Sequence, residues 1–435
     1  MYELCKFGAK REPGHSLDLT QVTNWIPVRA ARIADEWADK RSRSTGRPGR
    51  AMGYDPRLHF PKLMRMSDPA DDLVFPYEGP PASGAIQEVA PGVYWLQMPL
   101  PMSLNHINLY LLEDDDGYVI VDTGIRGEET RKLWQQIIDA LDKPISRVIC
   151  THMHPDHTGQ AGFLTNTCRV PLSMSYAEFY QARAMSAMMM GSGSSWQMSE
   201  YFERAGIDPD FMTKMREMRG SWTPQPEDHP FPASFERLVD GQLLTIGGQT
   251  WEVLTGSGHS PEHVCLYSKS LRVLLSGDQI LPIITSNVSV SPSEPFGNPM
   301  PGWLASLARF RERIPDETLI LPAHNLPFYG AKARLTQLID HHEDRMLILE
   351  ESCVEPRTAV ELLPHLFKRE LTGPSMFMGL GECIAHLHCL MHRSRLSRSL
   401  DEGIYRYRSI DPTLATRGRP GVHDDLDEPP RPNYV

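Results

Sequence analysis

The stretch Thr151-His152-Met153-His154-Pro155-Asp156-His157-Thr158-Gly159-Gln160 constrains this chain more than any other. Three histidines and an aspartate fall within six residues, directly after the apolar run Arg147-Val148-Ile149-Cys150, which reads as a buried strand. Neutral imidazoles are good zinc ligands, and a carboxylate adds a hard oxygen. His152 and His154 point the same way if the segment is extended. A turn after them aims Asp156 and His157 at a second point nearby, an arrangement that suits two ions sharing a bridge. Packing explains the cluster poorly, because burying four such groups unpaired is costly. The fold must therefore bring partner ligands to the end of this strand.

Four other places supply them by the same device, an apolar strand delivering a polar residue at its exit. Asp122 lies in Val121-Asp122-Thr123-Gly124, where a plain turn residue is the competing reading. His259 follows Trp251-Glu252-Val253-Leu254, Asp278 follows Val273-Leu274-Leu275, and His324 follows Leu319-Ile320-Leu321. Further strands are expected at 92–96, 108–112, 118–121 and 264–267, with a charged helix over 128–142. Strands interspersed with helices indicate a layered α/β architecture.

Asp122, the H-x-H-x-D-H block, Gly258-His259, Gly277-Asp278 and Pro322-Ala323-His324 occur in that order. Together they resemble the five motifs of the metallo-β-lactamase superfamily, over residues 85–330. The resemblance implies an αββα sandwich with a binuclear centre at one edge. Carried over, His152, His154 and His259 hold the first metal, Asp156, His157 and His324 the second, and Asp278 bridges them. Asp122 hydrogen-bonds a ligand and fixes the site. The expected cofactor is a pair of divalent ions, Zn2+ foremost, with iron or manganese as alternatives. Two departures stand out. Asn325 follows His324 where the family often has glycine. His263 resembles a second histidine of some branches, but with the metal sites already filled it is read as a structural hydrogen-bonding residue.

Residues 331–410 form a further unit. His342-Glu343-Asp344-Arg345, Arg357-Thr358-Ala359 and Gly379-Leu380-Gly381-Glu382-Cys383-Ile384-Ala385-His386-Leu387 resemble the winged-helix appendage of lactamase-β-2-like proteins. A helix is expected from Glu382 to Arg393, another around Glu361 to Phe367 kinked at Pro364, and a hairpin turn at Asp401-Glu402-Gly403. The remaining divisions are an N-terminal extension over 1–84, with a helix near Pro27 to Asp39, and a Pro- and Asp-rich disordered tail over 411–435. The extension's basic cluster, Lys40, Arg41, Arg43, Arg47 and Arg50, reads as a solvated arm.

Two ions of this kind lower the pKa of a shared water enough to supply hydroxide at neutral pH and polarise a carbonyl or phosphoryl oxygen. Asp156 would steer the proton of that water, so Asp156 and Asp122 are the expected catalytic carboxylates. No G-x-S-x-G elbow is present. An aspartate bridge argues against an antibiotic β-lactamase. The interval from Asp278 to His324 is too short for the extra domain of RNA-cleaving nucleases of this fold. Residues 175–232 carry Met185, Met188, Met189, Met190, Met198, Met212, Met215 and Met218 with Trp196 and Trp222. They read either as helix core or as an apolar lid in which Met189, Met190 and Trp196 touch substrate. The lid reading favours a thioester, lactone or related carboxylic ester with an apolar acyl part. A phosphodiesterase or endoribonuclease, and an iron enzyme resembling sulfur dioxygenases, are the alternatives.

Composition narrows the partners. A formal charge of −11 works against non-specific nucleic-acid binding. The wing arginines Arg393, Arg395, Arg398, Arg406 and Arg408 read as a solvated face, so the expected partner is a small molecule and not nucleic acid. Homo-oligomerisation is compatible with the sequence. No apolar run reaches membrane-span length. Seven cysteines without C-x-x-C spacing suit reduced thiols, and the start Met1-Tyr2-Glu3-Leu4-Cys5-Lys6 lacks a signal-peptide core, so the cytoplasm is the expected location.

Overall fold

The computed structural model describes residues 72–101, 104–190, 196–220, 230–411 and 413, without the side chains of 187–190, 196–197, 209 and 216–220. The helix expected near 27–39, the basic cluster at 40–50 and nearly all of the expected disordered tail lie outside the described residues.

Seven strands form the first sheet in sequence order: β1 (Ile86–Ala90), β2 (Val93–Pro99), β3 (His106–Asp114), β4 (Gly117–Val121), β5 (Ile145–Ile149), β6 (Leu172–Ser175) and β7 (Glu236–Leu238). The first four pair antiparallel, and β4 to β7 run parallel. Five strands form the second sheet in the order β12-β11-β10-β9-β8: β8 (Leu243–Ile246), β9 (Gln249–Gly256), β10 (His263–Ser268), β11 (Val273–Gly277) and β12 (Leu319–Pro322). A hairpin, β13 (Leu396–Asp401) and β14 (Ile404–Ser409), closes the described chain around the expected turn.

The helices are α1 (Glu128–Ala140), α2 (Pro155–Thr158), α3 (Ala161–Cys168), α4 (Tyr176–Met190), α5 (Trp196–Ala205), α6 (Pro209–Gly220), α7 (Met300–Arg313), α8 (Ala331–Ser352), α9 (Ala359–Leu366) and α10 (Pro374–His392). Thr358 opens α9 with a capping box: Glu361 N–H donates to its hydroxyl at 3.2 Å, and its own N–H donates to the Glu361 carboxylate at 2.8 Å. The helix ends at Leu366, two residues past Pro364, whose ring removes one backbone donor.

Strand alternation sorts the core into three apolar layers. Between the sheets, Trp95, Tyr110, Val119, Val121 and Ile149 meet Trp251, Val253, Val264, Leu266, Leu275 and Leu321. On the outer face of the first sheet, Leu96, Leu109, Ile120 and Val148 meet Trp134, Ile137 and Phe179 from the helices. On the outer face of the second, Leu254, Cys265, Leu274 and Ile320 meet Trp303, Phe310, Leu335, Leu380 and Ile384. This is the expected αββα sandwich, with the C-terminal helices packed on its outer layer. The strands buried on both faces, such as β10 and β11, are the continuous apolar runs that such packing demands.

Two regions differ from the outline that the sequence suggests. Leu73 and Tyr77 are buried, and Tyr77 sits edge-on to Trp95 at 5.5 Å, so residues just before 85 belong to the sandwich. In the Met-rich insertion, Met198, Phe202, Phe211 and Met212 pack on the outer core, with Phe202 and Phe211 meeting Phe377 at 4.8 and 5.5 Å. That part of the insertion is core.

Candidate metal centre

β9, β11 and β12 run in one direction, as do β4 and β5, so their C-terminal ends gather along one edge of the sandwich. The sheets are tied there, with Val264 N–H donating to Thr151 O at 2.8 Å and Asn108 N–H to Ala323 O at 2.7 Å. All the strand-exit residues converge at this edge. The ligand atoms of His152, His154, His259 and Asp278 lie within 4.8 Å of one another, and so do those of Asp156, His157 and His324.

Asp278 stands between the groups. Its Oδ2 is 3.8 Å from His152 Nε2 and 3.4 Å from His259 Nε2. Its Oδ1 is 3.6 Å from His157 Nε2 and 3.5 Å from His324 Nε2. Asp156 Oδ2 completes the second group, 3.8 Å from His157 Nε2 and 3.3 Å from His324 Nε2. Two features show that these donors fit cations. Ring nitrogens face each other, His152 Nε2 to His154 Nδ1 at 2.7 Å and His259 Nε2 to His152 Nε2 at 3.2 Å. The buried His157 Nε2 and Asp278 Oδ1 have no hydrogen-bond partner among the described residues, a state that buried polar atoms rarely keep. Burial holds His154 down to about 3 and His152 well below the usual imidazole range, aided by neighbouring histidines, so both rings are neutral and keep a lone pair to donate.

The rings of His157 and His259 are held from behind. Asp122, with a left-handed φ of 62°, accepts from Thr151 N–H at 2.7 Å, Thr151 Oγ1 at 2.9 Å and His157 Nδ1 at 2.8 Å. Nδ1 of His157 therefore carries the proton, and Nε2 is left for a cation. Burial would lower the His157 pKa, but Asp122, Asp278 and Asp156 outweigh it and raise it well above the ordinary value, so a cation at Nε2 would take the place of a second proton there. Asp122 thus sits behind the imidazole of a candidate ligand. His259 Nδ1 donates to Asn287 O at 2.7 Å. His263 Nε2 accepts from Asp278 N–H at 3.0 Å and its ring stacks on His152 at 4.6 Å, the structural part expected of it. Gly277 makes that contact possible: at φ +51°, an added Cβ would meet His263 Cε1 at 2.6 Å. Asn325 takes φ 65°, a region that asparagine enters more readily than most residues, so it can stand where glycine is frequent.

Glu178 escaped the sequence reading. Its buried carboxylate accepts from Ser260 Oγ at 2.6 Å, Glu262 N–H at 2.7 Å and Met153 N–H at 2.9 Å, clamping the His152 and His259 loops together. No local motif marks it. Met189 and Met190 end α4 and Trp196 begins α5. Their side chains lie outside the described residues.

The wing arginines are largely engaged. Arg393 pairs with Glu343, Arg395 with Glu350, and Arg406 with Asp401 and Glu361, while Arg398 lies 4.0 Å over the Tyr405 ring. Among the described residues no helix is long and apolar enough to cross a membrane.

A family model described as the metallo-beta-lactamase superfamily matches residues 103–324, and one described as a metallo-beta-lactamase-like C-terminal domain matches 347–410. The crystal structure of a beta-lactamase domain protein from Burkholderia ambifaria superposes with a TM-score of 0.72 at 39% identity, covering 79% of this chain and 100% of that one. The linear primary-alkylsulfatase of a Pseudomonas species is 24% identical over 275 residues, 59% of this chain and 50% of its own length. The acyl-coenzyme A thioesterase MBLAC2 of Homo sapiens is 23% identical over 208 residues, 45% of this chain and 66% of its own. The chain thus spans only half of the alkylsulfatase and just under two thirds of the thioesterase.

Proposed function

The chain belongs to the metallo-beta-lactamase superfamily; from that premise we propose that it is a metallo-hydrolase that cleaves a carboxylic ester, foremost a thioester or lactone with an apolar acyl part, using two divalent cations. The observation that carries the two-cation reading is Asp278, whose two oxygens face separate ligand groups. His152, His154 and His259 would hold one ion, Asp156, His157 and His324 the other, with Asp278 shared. When bound, such a pair supplies Lewis-acid polarisation of a carbonyl and activation of water.

The chain's own residues set the direction of approach. The side chains of His152, His157, His259 and His324 are 0–5% exposed, whereas that of Asp156 is 19% exposed. His154 is likewise only half-buried, so water and substrate are taken to enter on the side shared by His154 and Asp156. Burial works against ionising Asp156, but His157 and His324 prevail and hold its pKa to about 2. An ionised carboxylate there orients the incoming water by accepting its hydrogen bond. Asp122 and Asn287 hold the imidazoles behind it.

Exposed Ile283 and Met378 offer apolar surface near the segment that carries Asn287, which suits an acyl chain. Met189, Met190 and Trp196 are assigned to the same acyl part. The thioesterase among the relatives supports this reading, and the engaged wing arginines favour a small substrate over nucleic acid. The alkylsulfatase supports a second reading, a primary alkyl sulfate.

The test is a panel of acyl-coenzyme A thioesters, lactones, primary alkyl sulfates and single-stranded RNA, with zinc-loaded and chelated protein. Thioester or lactone turnover that disappears on chelation and returns with Zn2+ is expected. Turnover of the sulfates or RNA alone would overturn the acyl assignment, and iron-dependent oxygen uptake would overturn hydrolysis.

A further inference from the structure

The motif Gly379-Leu380-Gly381-Glu382-Cys383-Ile384-Ala385-His386-Leu387 has no place in the chemistry described so far. Glu382 is 7% exposed and lies among Leu380, Cys383 and Ile384 of the outer core. Burying a carboxylate there is costly unless it is paired and hydrogen-bonded. Arg345 lies 4.0 Å from Glu382 Oε1, which offsets part of that cost. The other oxygen is directional, because Glu382 Oε2 accepts from Asn287 Nδ2 at 3.2 Å.

Asn287 belongs to an extended segment that connects α10 to the metal edge. Its backbone carbonyl is the acceptor for His259 Nδ1. One residue earlier, Ser286 Oγ donates to the backbone carbonyl of Asp278. On the other side, Val288 and Val290 are buried in the outer core with the C-terminal helices. Val290 N–H donates to Gly381 O at 3.1 Å, and Asn287 Nδ2 also reaches Met378 O at 3.3 Å. Gly381 allows this close approach, since an added Cβ would sit 2.9 Å from both Ser289 Oγ and Val290 O. Five consecutive residues thus hold two members of the first ligand group and are themselves anchored on α10.

We propose that the C-terminal helix α10 is a working part of the metal centre, with Glu382 acting through Asn287 as a positioning residue that aims His259 Nε2 at the first cation. Partners that orient a ligand imidazole govern metal affinity because they fix its tautomer and direction before the ion arrives. Glu382 does so from 123 residues further along the chain. The inference rests on the two-cation reading above.

Zinc titration of the chelated full-length chain by calorimetry tests it, with Co2+ absorption reporting each site's geometry. The parent protein binds two ions. Glu382→Ala raises the dissociation constant of one ion roughly tenfold, within the range for partners behind a ligand, leaves the other within about twofold, and perturbs one set of Co2+ bands. Glu382→Gln, which keeps an acceptor toward Asn287 Nδ2, restores the parent values. Asn287→Ala reproduces the one-site loss and decides the matter if Glu382→Ala does not fold. Unchanged constants in a folded variant, or equal weakening of both ions, would overturn the positioning role while leaving the two-cation reading intact. A parent chain that binds no ion would defeat that reading and this inference with it.

Discussion

Asp122→Asn is the sharpest perturbation of the centre. Asparagine matches aspartate in shape and tolerates the left-handed backbone at this position, so no strain is added. The Thr151 N–H at 2.7 Å fixes the amide's orientation, because only an oxygen can face it. The amide nitrogen must then face Thr151 Oγ1 and His157 Nδ1. That nitrogen donates, so His157 turns to the tautomer with a protonated Nε2, the atom required for a cation. Restoring the useful tautomer costs about one buried hydrogen bond, roughly 1–3 kcal/mol. This corresponds to about 5- to 150-fold in affinity at the Asp156–His157–His324 group and compares with the roughly 10–100-fold typical of such partners. Stepwise zinc titration checks it: one ion weakens by one to two orders of magnitude, the other stays within about threefold, and the circular dichroism spectrum is unchanged. Two unaltered constants would refute the orienting role of Asp122.

His154→Ala removes a ligand from the first group, so zinc content falls and turnover drops to that of chelated protein while the fold persists; unchanged metal content would show that His154 is no ligand. Gly277→Ala forces a methyl group against His263, which costs about 1–3 kcal/mol in overpacking and disturbs Asp278, so both the melting temperature and zinc stoichiometry fall. Thr358→Ala breaks the α9 capping box at a cost of about 1 kcal/mol, visible as a lower melting temperature with unchanged zinc affinity. Met189→Asp combined with Met190→Asp raises KM for long acyl substrates and leaves short ones unaffected; equal effects on both would return that helix end to plain core.

What the sequence reveals of this molecule follows from how far each interaction reaches along the chain. β11 and β12 are buried on both faces, so they stand out as apolar runs, and Asp278 and His324 stand out because each follows one. β7 escapes notice: it has three residues, two of them exposed charges, and only its pairing with β6 makes it a strand. Glu178 escapes too, because its partners Ser260 and Glu262 lie 82 and 84 residues away. Asn287 and Glu382 are 95 residues apart and share no spacing rule. The residues that donate to a cation are thus written locally, at strand exits, whereas those that aim the donors are assembled only by the tertiary fold. A chain can therefore declare its metal chemistry openly while concealing what tunes it. The residues that separate one substrate from another within this superfamily should accordingly be sought among the long-range partners behind His259 and Asp278, where the C-terminal helix meets the site.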